Sequence, residues 1–539
     1  MTTLVLISPG SNRETNLSMN NIQFIEEHSV SNVVIFSVQS SDNSSLLMNE
    51  FKNLGISSKI IKLKQLSTKG MEYSDQLRTL SWEISKQIIH AFNDIESPII
   101  LLGRVSTLHD HLLWIISSTS HCKQYHWDGV ELDTYHHDHK YLKSQVAPLV
   151  ISGILELSGR TSLYEFTSEE IAELDDISEM SGIQSATKPC IQENLITVNR
   201  GGSGSPTYKL TNKGFPVALK NWTEGRFESD QQINKRMLIT FDRLPDSDSR
   251  FNLPSITSKI SPHDSYLFIF QKYISDITIN GTFTFSEVLE NQELIGIHDE
   301  INRCKTMLES KKHSEEFEMV EPLLILNPNS SKEFSLSLNF SLFKSIRQYE
   351  YSYDEHILTF DITSCLATIR SFISKFAVAT KSKICYVVKS SGGISATGLQ
   401  VQQSPFSRSD HVLDVPSSIA IEAINSLPKS RINALVVMHY FENGEFNEDV
   451  DVNDIEELLL SGEAVDNKKG LTWKEIYSYG DELNSIKGTS IGIDDNSNRL
   501  KSLISHQLIT RVNPTENKFI LTELGEWVAS WQINHLGME

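Results

Sequence analysis

The chain is short of cysteine, short of basic side chains relative to acids, and without long apolar runs. Its five cysteines (Cys122, Cys190, Cys304, Cys365 and Cys385) are scattered, odd in number and lack metal-ligand spacing. That argues against a disulfide framework and fits free thiols in a reducing cytoplasm. The 48 Lys and Arg stand against 69 Asp and Glu, a formal charge of −21. Such a surface does not draw nucleic acid broadly, so any phosphate contact needs a local basic face. No apolar stretch is long enough to span a bilayer, and no membrane partner is expected. Met1–Ser8 has no basic leader ahead of its apolar run and reads as a first strand rather than a signal peptide. No Ser-His-Asp order or carboxylate pair can be defended from spacing. No catalytic residue, cofactor or metal is therefore assigned.

What the sequence does contain is the same unit twice. A length of 539 residues calls for several domains. In residues 1–130, apolar strands (Leu4–Ser8, Asn32–Val38, Ser58–Leu63, Ile99–Leu102) alternate with helical spacing (Leu17–Glu27, Leu46–Leu54, Tyr73–Phe92). This order predicts an α/β fold with a parallel, doubly wound sheet. Residues 236–390 repeat it with strands at Met237–Phe241, Tyr266–Phe270, Leu323–Leu326, Ile357–Phe360 and Ile384–Val388, expanded over 271–320. Residues 390–415, rich in Ser and Gly, read as a surface loop or hairpin.

Each half is followed by helices and a hairpin. The first set runs Val146–Leu157, a capping-box start at Thr167–Glu170, Ser178–Gln192 with Pro189 as a break, then strands Leu195–Val198 and Thr207–Leu210. The second lies in residues 431–536, with an acidic insertion at Glu442–Glu457. Tyr208–Gly214 matches Phe519–Gly525. Three helices and a two-stranded wing form a winged helix-turn-helix pattern. The domains expected are 1–140, 141–228, 229–425 and 426–539, a pseudo-dimer within one chain.

In an open parallel sheet, ligands settle beyond the carboxyl ends of the strands. In the first half, strands 1 and 4 exit at Ser8, Pro9, Gly10, Ser11 and Asn12, and at Gly103, Arg104, Ser106 and Thr107. Their glycines allow close backbone approach, the hydroxyls donate, and Arg104 suits phosphate. The same residues would serve as plain strand–helix turns. In the second half the exits are Asp242-Arg243-Leu244 and Asp361-Ile362-Thr363-Ser364. Both aspartates repel phosphate, so Arg243, Thr363 and Ser364 mark an altered site or a structural copy.

Basic residues on the winged units are Lys188, Arg200, Lys209 and Lys213, and Arg499, Lys501, Arg511 and Lys518. They are candidates for contacting double-stranded DNA; such modules also dock proteins. Arg104 and His109 share the Arg-x4-His spacing of a ribonuclease family but fall at a strand exit. His136–His139 reads as a solvated linker and Gly201–Gly204 as a wing turn.

The layout, with its loops at Ser8–Asn12, Gly103–Thr107, Asp242–Leu244 and Asp361–Ser364, resembles the CRISPR-associated Rossmann fold (CARF) family joined to winged helix-turn-helix domains. The resemblance implies two Rossmann-like, CARF-like parallel-sheet domains, each followed by a winged helix-turn-helix. It also implies a cyclic oligoadenylate bound between the sheets and transcription regulation through DNA. Many members carry a more Gly-rich, basic loop after strand 4, which both copies here lack. Two alternatives stay open: a ring nuclease cleaving the cyclic ligand near Arg104, Ser11 and Ser106, and a non-catalytic docking scaffold.

Overall fold

A computed structural model describes residues 2–8, 17, 19–37, 44–63, 84–85, 87–92, 95, 98–102, 107–119, 122–127, 131–132, 146–161, 163–174, 183–200, 205–223, 237–244, 265–315, 318–329, 331–347, 358–362, 365–380, 382–388, 411–415, 423–424, 427–442, 470–488, 491–493, 500–506, 508–512 and 517–536. The fold is mixed α/β. It divides into two compact units, Met1–Ile84 with Glu96–Ser418 and Ser85–Ile95 with Ile419–Glu539. Among the described residues no helix is long and apolar enough to cross a membrane. Cys122, Cys190, Cys304 and Cys365 are free and buried. Burial pushes Cys122, Cys304 and Cys365 up to about 12 and Cys190 to about 11, which makes them packing residues rather than nucleophiles.

The first sheet holds β1 (Thr2–Ile7), β2 (Val30–Ser37), β3 (Ser57–Lys62), β4 (Pro98–Leu102), β5 (Lys123–His126) and β6 (Glu131–Leu132), in the order β3-β2-β1-β4-β5-β6. β1 to β5 run parallel and β6 antiparallel. The central strands are near-continuous apolar runs because both faces are covered. Leu4 sits opposite Val33 and Ile99 in the ladder, and all three are buried. Phe24 and Phe51, from the helices Met19–Glu27 and Ser44–Asn53, pack on that core. Gly55, just beyond the second helix, has φ +77° and ends it in the left-handed conformation that glycine adopts without strain. Of the long helix predicted over Tyr73–Phe92, residues 73–83 and 86 lie outside the described residues; the rest, from 84, is helical.

Next comes a small module. β7 (Phe166–Thr167), β8 (Ile196–Asn199) and β9 (Thr207–Leu210) form an antiparallel sheet in the order β7-β9-β8. The helices Val146–Arg160, Ser168–Ala172 and Ile183–Gln192 precede the β8–β9 hairpin, and Gly214–Asn221 closes it. The capping box is present: Thr167 Oγ1 accepts the Glu170 N–H at 3.2 Å, and Glu170 Oε2 accepts the Thr167 N–H at 2.6 Å. Pro189 was expected to break its helix. It lies inside the helix instead, where Glu193 N–H still bonds the Pro189 carbonyl at 2.9 Å.

The second sheet comprises β10 (Met237–Arg243), β11 (Ser265–Lys272), β12 (Gly281–Thr284), β13 (Glu318–Met319), β14 (Leu323–Leu326), β15 (Leu358–Asp361), β16 (Lys383–Val388) and β17 (His411–Val415). Its order is β12-β14-β11-β10-β15-β16-β17, with β13 beside β11. Without β12 and β13 this is the connectivity of the first sheet, down to an antiparallel last strand. The expansion between β11 and β14 builds β12, the helix Phe285–Glu290 and the helix His298–Glu315, which pack on β11 through Phe285, Val288 and Ile301.

The second unit repeats the small module. The helices Lys429–Glu442, Trp473–Lys487 and Leu500–Ser505 lead to β18 (Ile509–Arg511) and β19 (Phe519–Leu521), and Glu523–Leu536 closes it. Leu471 bridges Phe519 where the first module has β7. Thr472 and Glu475 form the matching capping box. The acidic insertion, apart from Glu442, lies outside the described residues. The likeness extends to single hydrogen bonds. Thr211 N–H bonds Leu195 O at 3.0 Å and Thr211 Oγ1 takes the Gly214 N–H at 3.0 Å. Thr522 N–H bonds Leu508 O at 3.1 Å and Thr522 Oγ1 takes the Gly525 N–H at 3.0 Å.

Candidate functional site

The carboxyl ends of the central strands are the natural place for a ligand. In the first half, Ser8 follows β1, is buried, and bonds Phe36 O through its N–H at 2.8 Å. Thr107 opens the helix Thr107–Thr119. Pro9, Gly10, Ser11, Asn12, Gly103, Arg104 and Ser106 lie outside the described residues, as do Thr363 and Ser364.

In the second half, Arg243 ends β10 on the surface, its N–H held by Asp242 Oδ1 at 2.7 Å. Asp361 is buried, with Thr240 Oγ1 at 3.3 Å from Oδ2. Gln271 of β11 reaches across, and its Oε1 accepts the Leu366 N–H at 2.8 Å. Thr240 and Asp361 thus tie β10 to β15, and Gln271 ties β11 to the residue before the helix Ala367–Ala379.

That helix follows β15 and Thr107–Thr119 follows the equivalent strand β4, and they pack together through a buried polar seam. Asp110 and Arg370, both in the first turn of their helices, pair at 3.4 Å with side chains 6% exposed. Arg370 Nη2 also donates to Cys365 O at 3.1 Å. One turn further in, Ser374 Oγ lies 3.0 Å from His111 Nδ1. His126, at the end of β5, meets the Phe372 ring edge-on at 5.5 Å. Sequence reasoning missed Asp110, His111, Arg370 and Ser374. The available signal was an aspartate in one largely apolar helix and an arginine in the other, since a buried charge needs a partner.

Burial first, and the Arg370 charge second, push the His111 imidazole down to about 3. In the unfolded chain the ring titrates near 6.5. From pH 6.5 down to about 3 the unfolded chain therefore binds one more proton, and stability falls as pH falls through that window. Relative to His111→Gln, the natural protein should lose about 1.4 kcal/mol per pH unit below pH ~6. Urea unfolding of both proteins between pH 5 and pH 7 reads this, and equal slopes would contradict it.

The first small module rests on the second α/β half. Phe215 packs edge-on against Phe340 at 5.1 Å and lies 6.1 Å from Phe376. Trp222 packs against Phe343 at 4.9 Å. Glu156 is the polar anchor. Its Oε1 accepts from Arg347 Nη2 at 2.5 Å and Arg160 Nε at 2.7 Å, and its Oε2 from Trp222 Nε1 at 2.9 Å. Burial alone would raise this carboxyl; the hydrogen bonds from Arg347 and Arg160 hold it below the usual range. Thr223 Oγ1 lies 3.4 Å from Ala379 O. The helix Ala367–Ala379 thus has Arg370, in its first turn, in the seam and Ala379, in its last, against the small module, about 14 Å away at 1.5 Å per residue.

Of the predicted basic residues, Lys188 and Lys501 are exposed on the helices just before the hairpins. Arg200 and Arg511 are exposed, and Lys209 and Lys518 are half-buried. Lys213 is exposed but donates to Glu193 O at 2.9 Å, so it also closes the helix–hairpin turn. Arg499 and His136–His139 lie outside the described residues. His109 is buried in its helix. Among the described residues no group of His, Cys, Asp or Glu could hold a metal.

The geometry defines a mixed α/β protein whose two sheets share one connectivity, β12 and β13 apart, and meet through the helices after β4 and β15. No protein-family model matches the chain. No curated protein matches it either.

Proposed function

We propose that the protein is a ligand-responsive regulator. It is built as two Rossmann-like, CARF-like domains, each followed by a winged helix-turn-helix. A cyclic oligoadenylate-type second messenger binds at the shared strand tips, and the winged modules bind or release double-stranded DNA in response. One observation carries this reading: Ala367–Ala379 links the inter-sheet seam, through Arg370 and Ser374, to the first winged module, through Phe376 and Ala379. A ligand that prefers one placement of the seam helices moves the module with them, because it shifts an equilibrium by its differential affinity. The second half supports the reading as a partner to the first rather than a second equal site. Its Asp361 and Gln271 are occupied by structural bonds.

Thermal unfolding with a panel of cyclic oligoadenylates tests this. A ring at a hundredfold excess over its Kd should stabilise the fold by about 2.7 kcal/mol, a rise of about two to three degrees in Tm for a chain of this length. A flat response to every ring size would remove the sensor reading.

A further inference from the structure

The two sheets differ at one edge. β3 in the first and β14 in the second hold the same position, beside β2 and β11. Their registers align residue by residue. Ser37 O takes the Leu63 N–H at 2.8 Å, and Lys272 O takes the Asn327 N–H at 2.9 Å. Lys62 therefore matches Leu326, and Lys59 matches Leu323. In the second sheet β12 runs antiparallel along the outer edge of β14, with Gly281 opposite Leu326 and Thr284 opposite Leu323. The residues Leu323, Leu324, Ile325 and Leu326 are all buried. In the first sheet β3 ends the strand order, and among the described residues no strand pairs with its outer edge. Ser57, Lys59 and Lys62 are exposed, and Ser58, Ile60 and Ile61 are half-buried.

Successive residues of a strand turn their N–H and C=O groups to opposite edges. The Leu63 N–H points to β2, so those of Lys59 and Ile61 do too, and Ser58, Ile60 and Lys62 turn theirs outward. Such a row is a template for one more strand. Charge names the occupant. From Phe51 to Met71 the sequence carries five lysines (Lys52, Lys59, Lys62, Lys64 and Lys69) and no acid, in a chain of net charge −21. β2 and the helix Ser44–Asn53, which pack on β3, hold one acid, Glu50. A second copy of β3 would bring lysines to lysines, and edge lysines are a known device against such self-pairing. An acidic strand meets the opposite condition.

We propose that the outer edge of β3 is a docking site for an extended acidic segment of a partner protein. The segment adds as an antiparallel strand in the register that β12 takes on β14. Its acids stand at the places of Gly281 and Thr284, three residues apart, opposite Lys62 and Lys59. This site is separate from the ligand and DNA readings above and stands without them.

The test uses two fluorescein-labelled peptides, one carrying Asp-Thr-Phe-Glu between Ser-Thr flanks and one with lysine at both acidic places. Each is titrated with the full chain by fluorescence anisotropy. The acidic peptide binds and the lysine peptide does not. Lys59→Gln with Lys62→Gln weakens binding about tenfold, the value of two opposite-charge pairs across neighbouring strands. Both side chains are exposed, so circular dichroism of the variant is unchanged. Amide hydrogen exchange separates strand addition from attraction of charge alone. The Ser58, Ile60 and Lys62 amides slow on binding, while those of Lys59 and Ile61, turned to β2, do not change. Protection of the first three amides in the free chain would show that the chain fills its own edge and overturns the proposal. Equal affinity for both peptides, no binding of either, or binding with unchanged exchange overturns it as well. Uptake of a uridine oligonucleotide in place of the acidic peptide also overturns it, and would make the lysine run a nucleic-acid surface.

Discussion

Replacing Arg370 with methionine should cost about 3–5 kcal/mol of stability in urea unfolding, the range found when one partner of a buried ion pair is removed. The Arg370 and Asp110 side chains are 6% exposed and stand on helices that follow strands of different sheets. The substitution leaves the buried Asp110 carboxylate in the seam without its guanidinium. Asp110→Asn strips the opposite charge and should cost a similar amount. The double variant, Asp110→Leu with Arg370→Met, should recover much of the loss, because an apolar pair of like volume is often neutral or better in such a place. With Asp110→Leu as the second single variant, the double-mutant cycle should show a coupling of at least about 3 kcal/mol, because the double costs less than either single. Single substitutions that each cost under ~0.5 kcal/mol, typical of an exposed pair, would mean that the seam is open to water.

The second large effect concerns glycines. Gly214→Ala and Gly525→Ala should each destabilise by about 3 kcal/mol or more, because overpacking against backbone cannot be relieved by a rotamer change. A Cβ at Gly214 would stand 1.8 Å from Leu195 O, and one at Gly525 1.9 Å from Leu508 O. Ordinarily alanine in place of helical glycine gains about 1 kcal/mol, so the sign is itself the test. Gly296→Ala is the control. A Cβ there meets nothing within 4 Å and should leave stability unchanged. If all three substitutions behaved alike, the close contact between closing helix and hairpin would be refuted in both modules.

The two sheets were legible because their central strands are buried on both faces and spell continuous apolar runs, as in Leu4–Ile7 and Leu323–Leu326. The hairpin modules were legible through turn and cap chemistry, Thr167 with Glu170 above all. β5 was not, because its letters, Lys-Gln-Tyr-His, are polar. Gln124 is nevertheless buried, its Nε2 donating to Ser117 Oγ at 2.6 Å and Trp114 O at 3.1 Å. β12 was hidden in the expansion for a similar reason: a short edge strand beside β14 needs no apolar run. Of the seam only the charge within each apolar helix was legible; the pairing was not, since Asp110 and Arg370 are 260 residues apart and nothing local marks them as partners.

The duplicated architecture makes a quantitative demand on ligand binding. On the proposed reading, in which both sheets contribute to one site, the chain should take one cyclic oligoadenylate. Titration calorimetry of the full chain is therefore the decisive measurement. A single transition at one ring per polypeptide, weakened when Arg370 is replaced by methionine, is expected. Two independent rings per chain, or no heat from any ring size, would contradict a shared pocket.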